Sequence, residues 1–331
     1  MWWIRIGISV VLIGLLLVLG KLDGAGAVLA HTQPLLTVVG LAGLGATRAL
    51  LAYRWRLLTR AAGTKVSYIR LLRLVFVSGF LGTFVPSGIG TDVVNALGIA
   101  THTGNKTAAA SFMIVDRIAG LFAVAVIGAT AATLLTFYPV IAIPHAWVRT
   151  VAGVFVLCSL VVGMTLHPAI RGIALAAARR IPFPRISQAI EGVYEAYYRL
   201  GRQPVLVGQI VLAAIINQLV SATATYCLSL AIGLTIPFLF YLLVAPILLV
   251  LVMVPVSLGG VGLEEGTLAY LVILAGAPQE GGLALALLYR LLWTVLAVFG
   301  GVLYALGGHR PPGVKKSSLM FQAQPIGEPP R

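Results

Sequence analysis

The chain has 331 residues, of which 60% are hydrophobic and only 10% are charged. A soluble domain carries charge on roughly a quarter of its residues, so this composition excludes an ordinary soluble protein and indicates a chain surrounded by lipid. The net charge of +14 does not indicate nucleic acid, because the basic residues concentrate in three stretches that flank apolar segments: Arg54 to Arg73, Arg171 to Arg202 and Arg310 to Lys316. This distribution follows the positive-inside rule and predicts contact with anionic lipid head groups at the inner surface.

Apolar stretches of about 20 residues, long enough to cross a hydrocarbon core of roughly 30 Å, recur along the chain. The first of them resembles a signal peptide, because Arg5 and an apolar run precede Ala25-Gly26-Ala27; we interpret it as an uncleaved anchor. The sequence predicts an all-α, polytopic integral membrane helix bundle with about six full spans, at 4–20, 35–53, 107–137, 147–166, 205–232 and 283–306.

Two further apolar regions, 74–104 and 236–277, are interrupted by Pro and Gly. With the basic stretches and both termini placed in the cytoplasm, region 74–104 begins and ends inside, and region 236–277 begins and ends outside. Each region is a re-entrant hairpin or a pair of full spans. The central breaks favour hairpins, which bring the hydropathy count to eight segments. Hairpins entering from opposite faces are typical of an inverted repeat, here a pseudo-repeat.

The two breaks are similar in sequence. They read Pro86-Ser-Gly-Ile-Gly-Thr-Asp92 and Pro255-Val-Ser-Leu-Gly-Gly-Val-Gly-Leu-Glu-Glu265. Asp92 precedes Arg117 by 25 residues. Glu265 precedes Arg290 by the same number. The match favours two related halves, each with an acid at a Gly-rich break and an arginine inside a later helix.

Four acids lie in or beside the membrane breaks: Asp92, Asp116, Glu264 and Glu265. A charge near the bilayer centre costs at least about 2.5 kcal/mol, so each needs a partner or a wet cavity. We expect pairing between the halves, with Arg290 bound to Asp92 or Asp116 and Arg117 bound to Glu264 or Glu265. Two interpretations stay open: ion pairs that lock the bundle, or the lining of a polar cavity for a charged substrate group.

The glycines at the breaks allow close packing and turns, or they expose backbone N–H groups to a phosphate at the half-helix that begins near Thr91. Asn217 and Gln218 are expected to join helices, with a substrate role as the alternative. Gly40-Leu-Ala-Gly43-Leu-Gly45 lies in an apolar helix and predicts packing, not a nucleotide loop. The candidate site residues are Pro86, Gly88, Gly90, Asp92, Asn95, Asp116, Arg117, Pro255, Gly259, Gly260, Gly262, Glu264, Glu265 and Arg290.

Three motifs in order resemble the lysylphosphatidylglycerol synthase transmembrane family, also called the flippase-like family. The family has a Pro-x-x-x-Gly-Gly-Asp-x-x-Arg element, an Asp-Arg pair heading a helix, and a late Pro-x-x-x-Gly-Gly-x-Gly-x-[Arg/Glu]-Glu element. In this chain they stand at Pro86 to Asn95, Asp116-Arg117 and Pro255 to Glu265. Thr91 replaces the second Gly of the first element, and Glu264 stands where Arg is common. Asn95 stands where the family usually has Arg, which removes one phosphate contact and bears on substrate identity.

The resemblance covers roughly 1–308, which we interpret as a flippase-like transmembrane domain without the soluble aminoacyl transferase domain of the best-known members. Residues 309–331 are predicted to form a disordered polar tail. The resemblance implies a transporter of phospholipid or polyprenyl-phosphate-linked lipid in the inner membrane. No catalytic or nucleotide motif is found, and we expect no cofactor or metal. A scaffold for an envelope pathway and an intramembrane lipid-phosphate transferase are the alternatives, and homo-oligomerisation is left open.

Overall fold

The computed structural model describes residues 22–83, 90–103, 106–138, 168–180, 184–253 and 262–306, with a few single positions between 149 and 182. Within these ranges the chain forms helices and short turns, so the predicted all-α class is confirmed for the described residues. In chain order the helices are α1 Leu22–Ala30, α2 Pro34–Ala61, α3 Tyr68–Thr83, α4 Gly90–Thr103, α5 Lys106–Phe137, α6 Pro168–Arg179, α7 Pro184–Gly201, α8 Pro204–Ala231, α9 Phe238–Met253, α10 Leu263–Leu274 and α11 Gln279–Leu306.

Four of these helices are long and apolar enough to cross a membrane: Pro34–Ala61, Thr107–Phe137, Pro204–Ala231 and Gln279–Leu306. They correspond to the predicted spans 35–53, 107–137, 205–232 and 283–306. The predicted span 4–20, nearly all of 147–166, and the tail 309–331 lie outside the described residues. The described chain is thus a helical membrane protein.

The first long helix differs from the prediction at both sides. The segment 21–34, expected as a loop, contains α1. Helix α2 continues to Ala61, eight residues beyond its predicted end at 53. It continues because Arg54, Trp55 and Leu58 are buried against the rest of the bundle. Arg54, expected in the basic stretch that flanks this span, instead belongs to the helix itself.

The helices α2–α5 and α8–α11 form two sets with the same order and similar lengths. The first helix has 28 residues in both sets and the second has 16. Both first helices begin at a Gln-Pro step, at Pro34 and Pro204. Both are followed by a glycine in the left-handed region, Gly63 at φ +78° and Gly233 at φ +82°. A side chain is strained at such a φ, so glycine ends both helices.

Helices α2 and α8 pack against each other as an antiparallel pair. The backbone N–H of Gln33, just before α2, donates to the carbonyl of Ala231, the last residue of α8 (2.8 Å). Gly40 and Gly43 lie against Leu228 and Ala224, where an added Cβ would clash with side-chain atoms. The prediction that these glycines serve packing is confirmed.

The outer helices of the two sets pack reciprocally. Helix α3 packs along α11, and α9 packs along α5. Along the first contact Gly300 approaches so closely that an added Cβ would meet the carbonyl of Phe76. The Phe76 and Phe299 rings meet edge to face at 5.2 Å. One large apolar core lies mainly within α8–α11 and another mainly within α2–α5. The α3–α11 and α5–α9 contacts hold the two sets together.

The segment 168–204, whose basic stretch is expected at the inner surface, contains α6 and α7. Helix α7 buries Tyr197 and Leu200 against α5 and α2. It is also attached by the Ser111 hydroxyl of α5, which donates to the carbonyl of Val193 (3.1 Å). The location of these helices at the inner surface stays a prediction.

Candidate functional site

The first ion pair of the site joins α4 and α5. Asp92 lies in the first turn of α4, where free backbone N–H groups favour a negative side chain. Arg117 of α5 donates from Nε to Asp92 Oδ2, and its Nη2 contacts the same oxygen. Both side chains remain partly accessible, so the pair lies at the edge of an open space.

The second ion pair joins α10 and α11 in the same way. Glu265 accepts a hydrogen bond from Arg290 Nε through Oε1, and its Oε2 accepts the backbone N–H of Gly262 at 2.6 Å. Gly262 has φ +84°, a conformation that favours glycine, and the carboxylate caps the start of α10. The Glu265 carboxylate, which belongs to a residue only 5% exposed, therefore caps α10 and also anchors α11.

Glu264 faces the same arginine from the other side. Its Oε2 lies 3.8 Å from Arg290 Nη2. Its Oε1 accepts a hydrogen bond from the Tyr289 hydroxyl at 3.3 Å. Two carboxylates therefore share Arg290, with Glu265 making the direct hydrogen bond.

The predicted pairing between halves is wrong. Each arginine binds the acid 25 residues before it, within its own set of helices. The physical reason is that α4 packs beside α5 and α10 packs beside α11, so the start of each short helix lies next to the following long helix.

A third, more deeply buried ion pair was not predicted. Arg54 of α2 approaches Asp116 of α5 with two contacts, Nε to Oδ1 at 3.0 Å and Nη2 to Oδ2 at 3.3 Å. The residues are 6% and 9% exposed. Asp116 points away from its neighbour Arg117, because successive helical residues differ by about 100°. The Asp-Arg pair lies well inside α5, which begins at Lys106, so it does not head this helix.

A cavity of about 350 Å³ lies between the two sets of helices. Its wall includes three arginines, two carboxylates and two side-chain amides: Arg48, Arg117, Arg290, Asp92, Glu264, Asn217 and Gln218. Arg48 lies 14 residues after the start of α2 and 13 before its end, and Gln218 has the same position in α8. The polar cavity is thus at mid-height of the long helices.

Arg48 is the functional candidate that sequence reasoning missed. Its guanidinium lies over the Trp293 ring, with Cζ 4.7 Å from the ring centroid. Gly79 provides the space beside it, since an added Cβ would be 3.3 Å from the guanidinium. The only signal in the sequence was an arginine within an apolar span, which the motif comparison did not include.

The structure brings some predicted residues to the cavity and not others. Asp92, Arg117, Glu264 and Arg290 line it, whereas Glu265 and Asp116 lie behind it as ion-pair partners. Asn95 is buried on α4 with 1% exposure and does not line the cavity. Gly90 is the first residue of α4, and Gly262 precedes α10. The remaining candidates lie outside the described residues: Pro86, Gly88, Pro255, Gly259 and Gly260.

Among the described residues, no group of three or more His, Cys, Asp or Glu side chains is arranged to hold a metal ion. The site consists of arginines and carboxylates around a cavity at mid-height of the long helices. Such an arrangement defines a polytopic helical membrane protein with an intramembrane polar site.

The chain belongs to the lysylphosphatidylglycerol synthase transmembrane family: the family model described as "Lysylphosphatidylglycerol synthase TM region" matches residues 2–301. This confirms the resemblance carried by the three motifs. The family makes this chain a membrane protein related to lipids. No curated protein matches the chain.

Proposed function

We propose that the protein moves a lipid with a phosphate-bearing head group between the leaflets of the plasma (inner) membrane. The head group occupies the cavity between the two sets of helices, and the acyl or prenyl chains stay in the surrounding lipid. The family supports a lipid-related role. The cavity supports transport, because a head group needs a polar path through a hydrocarbon core of roughly 30 Å.

The observation that carries the proposal is the position of the charged cavity. A charge on an isolated helix at the bilayer centre costs at least about 2.5 kcal/mol, and several are grouped here. The ion pairs offset this cost in the absence of substrate. The cavity then offers a phosphate hydrogen-bond donors at mid-height, where the barrier to head-group movement is greatest.

We propose that the two sets form an inverted repeat that provides alternating access. Their matching order and lengths support this, and so does the antiparallel packing of α2 with α8. The first two helices after α2, of 16 and 14 residues, are about 24 and 21 Å long. The described part of each is shorter than the hydrocarbon core of roughly 30 Å, which supports a re-entrant hairpin. By the positive-inside rule both termini lie in the cytoplasm.

The test is head-group movement in sealed liposomes. Wild-type protein, Arg117→Ala and the control Arg70→Ala are reconstituted with fluorescent phosphatidylglycerol, its aminoacylated form or a polyprenyl phosphate, and dithionite quenches the outer leaflet. Arg70 is exposed on α3, away from the cavity. We expect wild type and Arg70→Ala to bring the inner-leaflet fraction of one fluorescent lipid to the outer leaflet, where dithionite quenches it. Arg117→Ala should lose this activity because the ion pair with Asp92 is broken.

The liposome assay and an assay in detergent together separate the alternatives. Fluorescence decay equal to that of empty liposomes for every lipid would contradict transport of these substrates and favour a scaffold. Chemical conversion of a lipid by purified protein in detergent would instead favour an intramembrane transferase.

A further inference from the structure

The three arginines of the cavity are not equivalent. Arg117 and Arg290 each hold a carboxylate by direct hydrogen bond. Arg48 lies over Trp293, and no described carboxylate is within ion-pair distance of it. Since a cation at mid-height of an apolar helix is costly, an unpaired arginine there needs another reason to be present.

Two side-chain amides that line the same cavity as Arg48 also have atoms without a hydrogen-bond partner. The Gln218 amide is buried at 3% exposure, lines the same cavity, and its Nε2 has no hydrogen-bond partner among the described residues. The adjacent Asn217 has a buried Oδ1 without such a partner. Buried polar groups in proteins are nearly always hydrogen-bonded, so these two amides are available to hydrogen-bond a ligand in the cavity.

We propose that Arg48 and Gln218 form the phosphate-binding subsite of the cavity, with Arg48 as its main anion contact. A guanidinium presents several N–H donors in a planar fork that matches phosphate oxygens. The Gln218 amide adds a neutral donor from the facing helix α8. Asn217 Oδ1 accepts from a hydroxyl or amine next to the phosphate. The proposal rests on the proposed function for the lipid nature of the ligand.

The charges of the cavity favour an anion at this subsite. Asp92 is engaged by Arg117, and Glu264 by Tyr289 and the nearby Arg290. A cationic group would have to compete with these arginines for the carboxylates. A phosphate binds Arg48 without breaking an existing ion pair.

Binding to the full-length protein in detergent tests the subsite without requiring transport. Isothermal titration calorimetry is done with dihexanoyl phosphatidylglycerol, farnesyl phosphate and inorganic phosphate on wild type, Arg48→Gln, Arg48→Lys and the control Arg70→Gln. We expect at least tenfold weaker binding for Arg48→Gln and an intermediate affinity for Arg48→Lys, because lysine keeps the charge but lacks the fork. Arg70→Gln should bind as wild type does.

Thermal unfolding without ligand provides the folding control. Arg48→Gln loses the cation–π contact with Trp293 but no described ion pair, so it should stay folded and unfold within a few degrees of the wild-type temperature. Binding of phosphatidylglycerol alone identifies a glycerophospholipid, binding of farnesyl phosphate alone identifies a polyprenyl phosphate, and binding of all three probes shows that phosphate is sufficient.

Wild-type affinity in Arg48→Gln, or no binding of any phosphate probe to the wild type, would overturn the subsite. If binding depends on Arg48 but reconstituted liposomes show no head-group movement, the transport proposal is contradicted and the phosphate subsite is supported. The two failures are therefore distinguishable.

Discussion

Single residues decide how charge is kept inside this bundle. Arg117 and Arg290 each bind an acid 25 residues earlier in the chain, which is the distance from the start of a short helix to a point along the next long one. Closing a loop of this length costs less conformational entropy than bringing distant halves together. The equal spacings from Asp92 to Arg117 and from Glu265 to Arg290 therefore indicate the ion pairs that the structure shows.

The pairing can be tested by double-mutant cycles on unfolding in mixed micelles. Arg117→Gln and Asp92→Asn should couple by about 1–2 kcal/mol, because each removes the same ion pair. Arg117→Gln and Glu265→Gln should be additive, since Glu265 binds Arg290. Strong coupling in the second cycle and none in the first would restore the pairing between halves.

Arg48 and Arg54 show why part of the site was not predictable. The positive-inside rule counts arginines at the ends of spans, and it placed Arg54 in a loop although Asp116 neutralises it inside the bundle. Arg48 lies in the middle of an apolar stretch, where only the facing Trp293 and the polar residues of α8 reveal its role. Both roles depend on partners far away in the sequence.

At the scale of helices, small residues set how closely the elements approach. In lipid the association of helices relies on close packing, because lipid chains are as apolar as the side chains. Gly300 lets α11 approach the backbone of α3 at Phe76. Arg73 of α3 adds a hydrogen bond from Nη2 to the carbonyl of Leu303 (2.7 Å). The contact joins one helix from each set beside the cavity.

We predict that Gly300→Val destabilises the protein by at least about 1–3 kcal/mol, because the new side chain meets a backbone carbonyl that cannot rotate away. The matched control is Gly208→Val, since an added Cβ at Gly208 has nothing within 4 Å. Fluorescence-detected size-exclusion chromatography after heating measures both. Equal melting temperatures for the two variants would show that the α3–α11 contact contributes nothing.

The long helices were predictable and the short ones only in part. An unbroken apolar run of about 20 residues identifies a span, and four predicted spans correspond to long helices. Composition alone does not fix where α2 ends, because Arg54, Trp55 and Leu58 belong to the interior through their contacts. The Gly-rich breaks themselves were recognised from sequence; their first parts, within 84–89 and 254–261, lie outside the described residues, and their last residues begin α4 and α10.

At the scale of the whole molecule, the turns that follow the first helices of the two sets are similar. Lys65 follows Gly63 by two residues after α2, and Thr235 follows Gly233 by two residues after α8. Both side chains are exposed. If the sets are related as an inverted repeat, these equivalent positions lie on opposite sides of the membrane, because α2 and α8 run antiparallel.

We therefore predict opposite labelling of Lys65→Cys and Thr235→Cys, each made with Cys158 and Cys227 replaced by alanine. In intact cells a membrane-impermeant maleimide should label Thr235→Cys, while Lys65→Cys should react only after permeabilisation. The reason is that the turn after α2 is followed by Arg70 and Arg73 and stays inside, whereas the turn after α8 carries no charge. Labelling of both positions from the same side would contradict the inverted repeat and, with it, the alternating access that it provides.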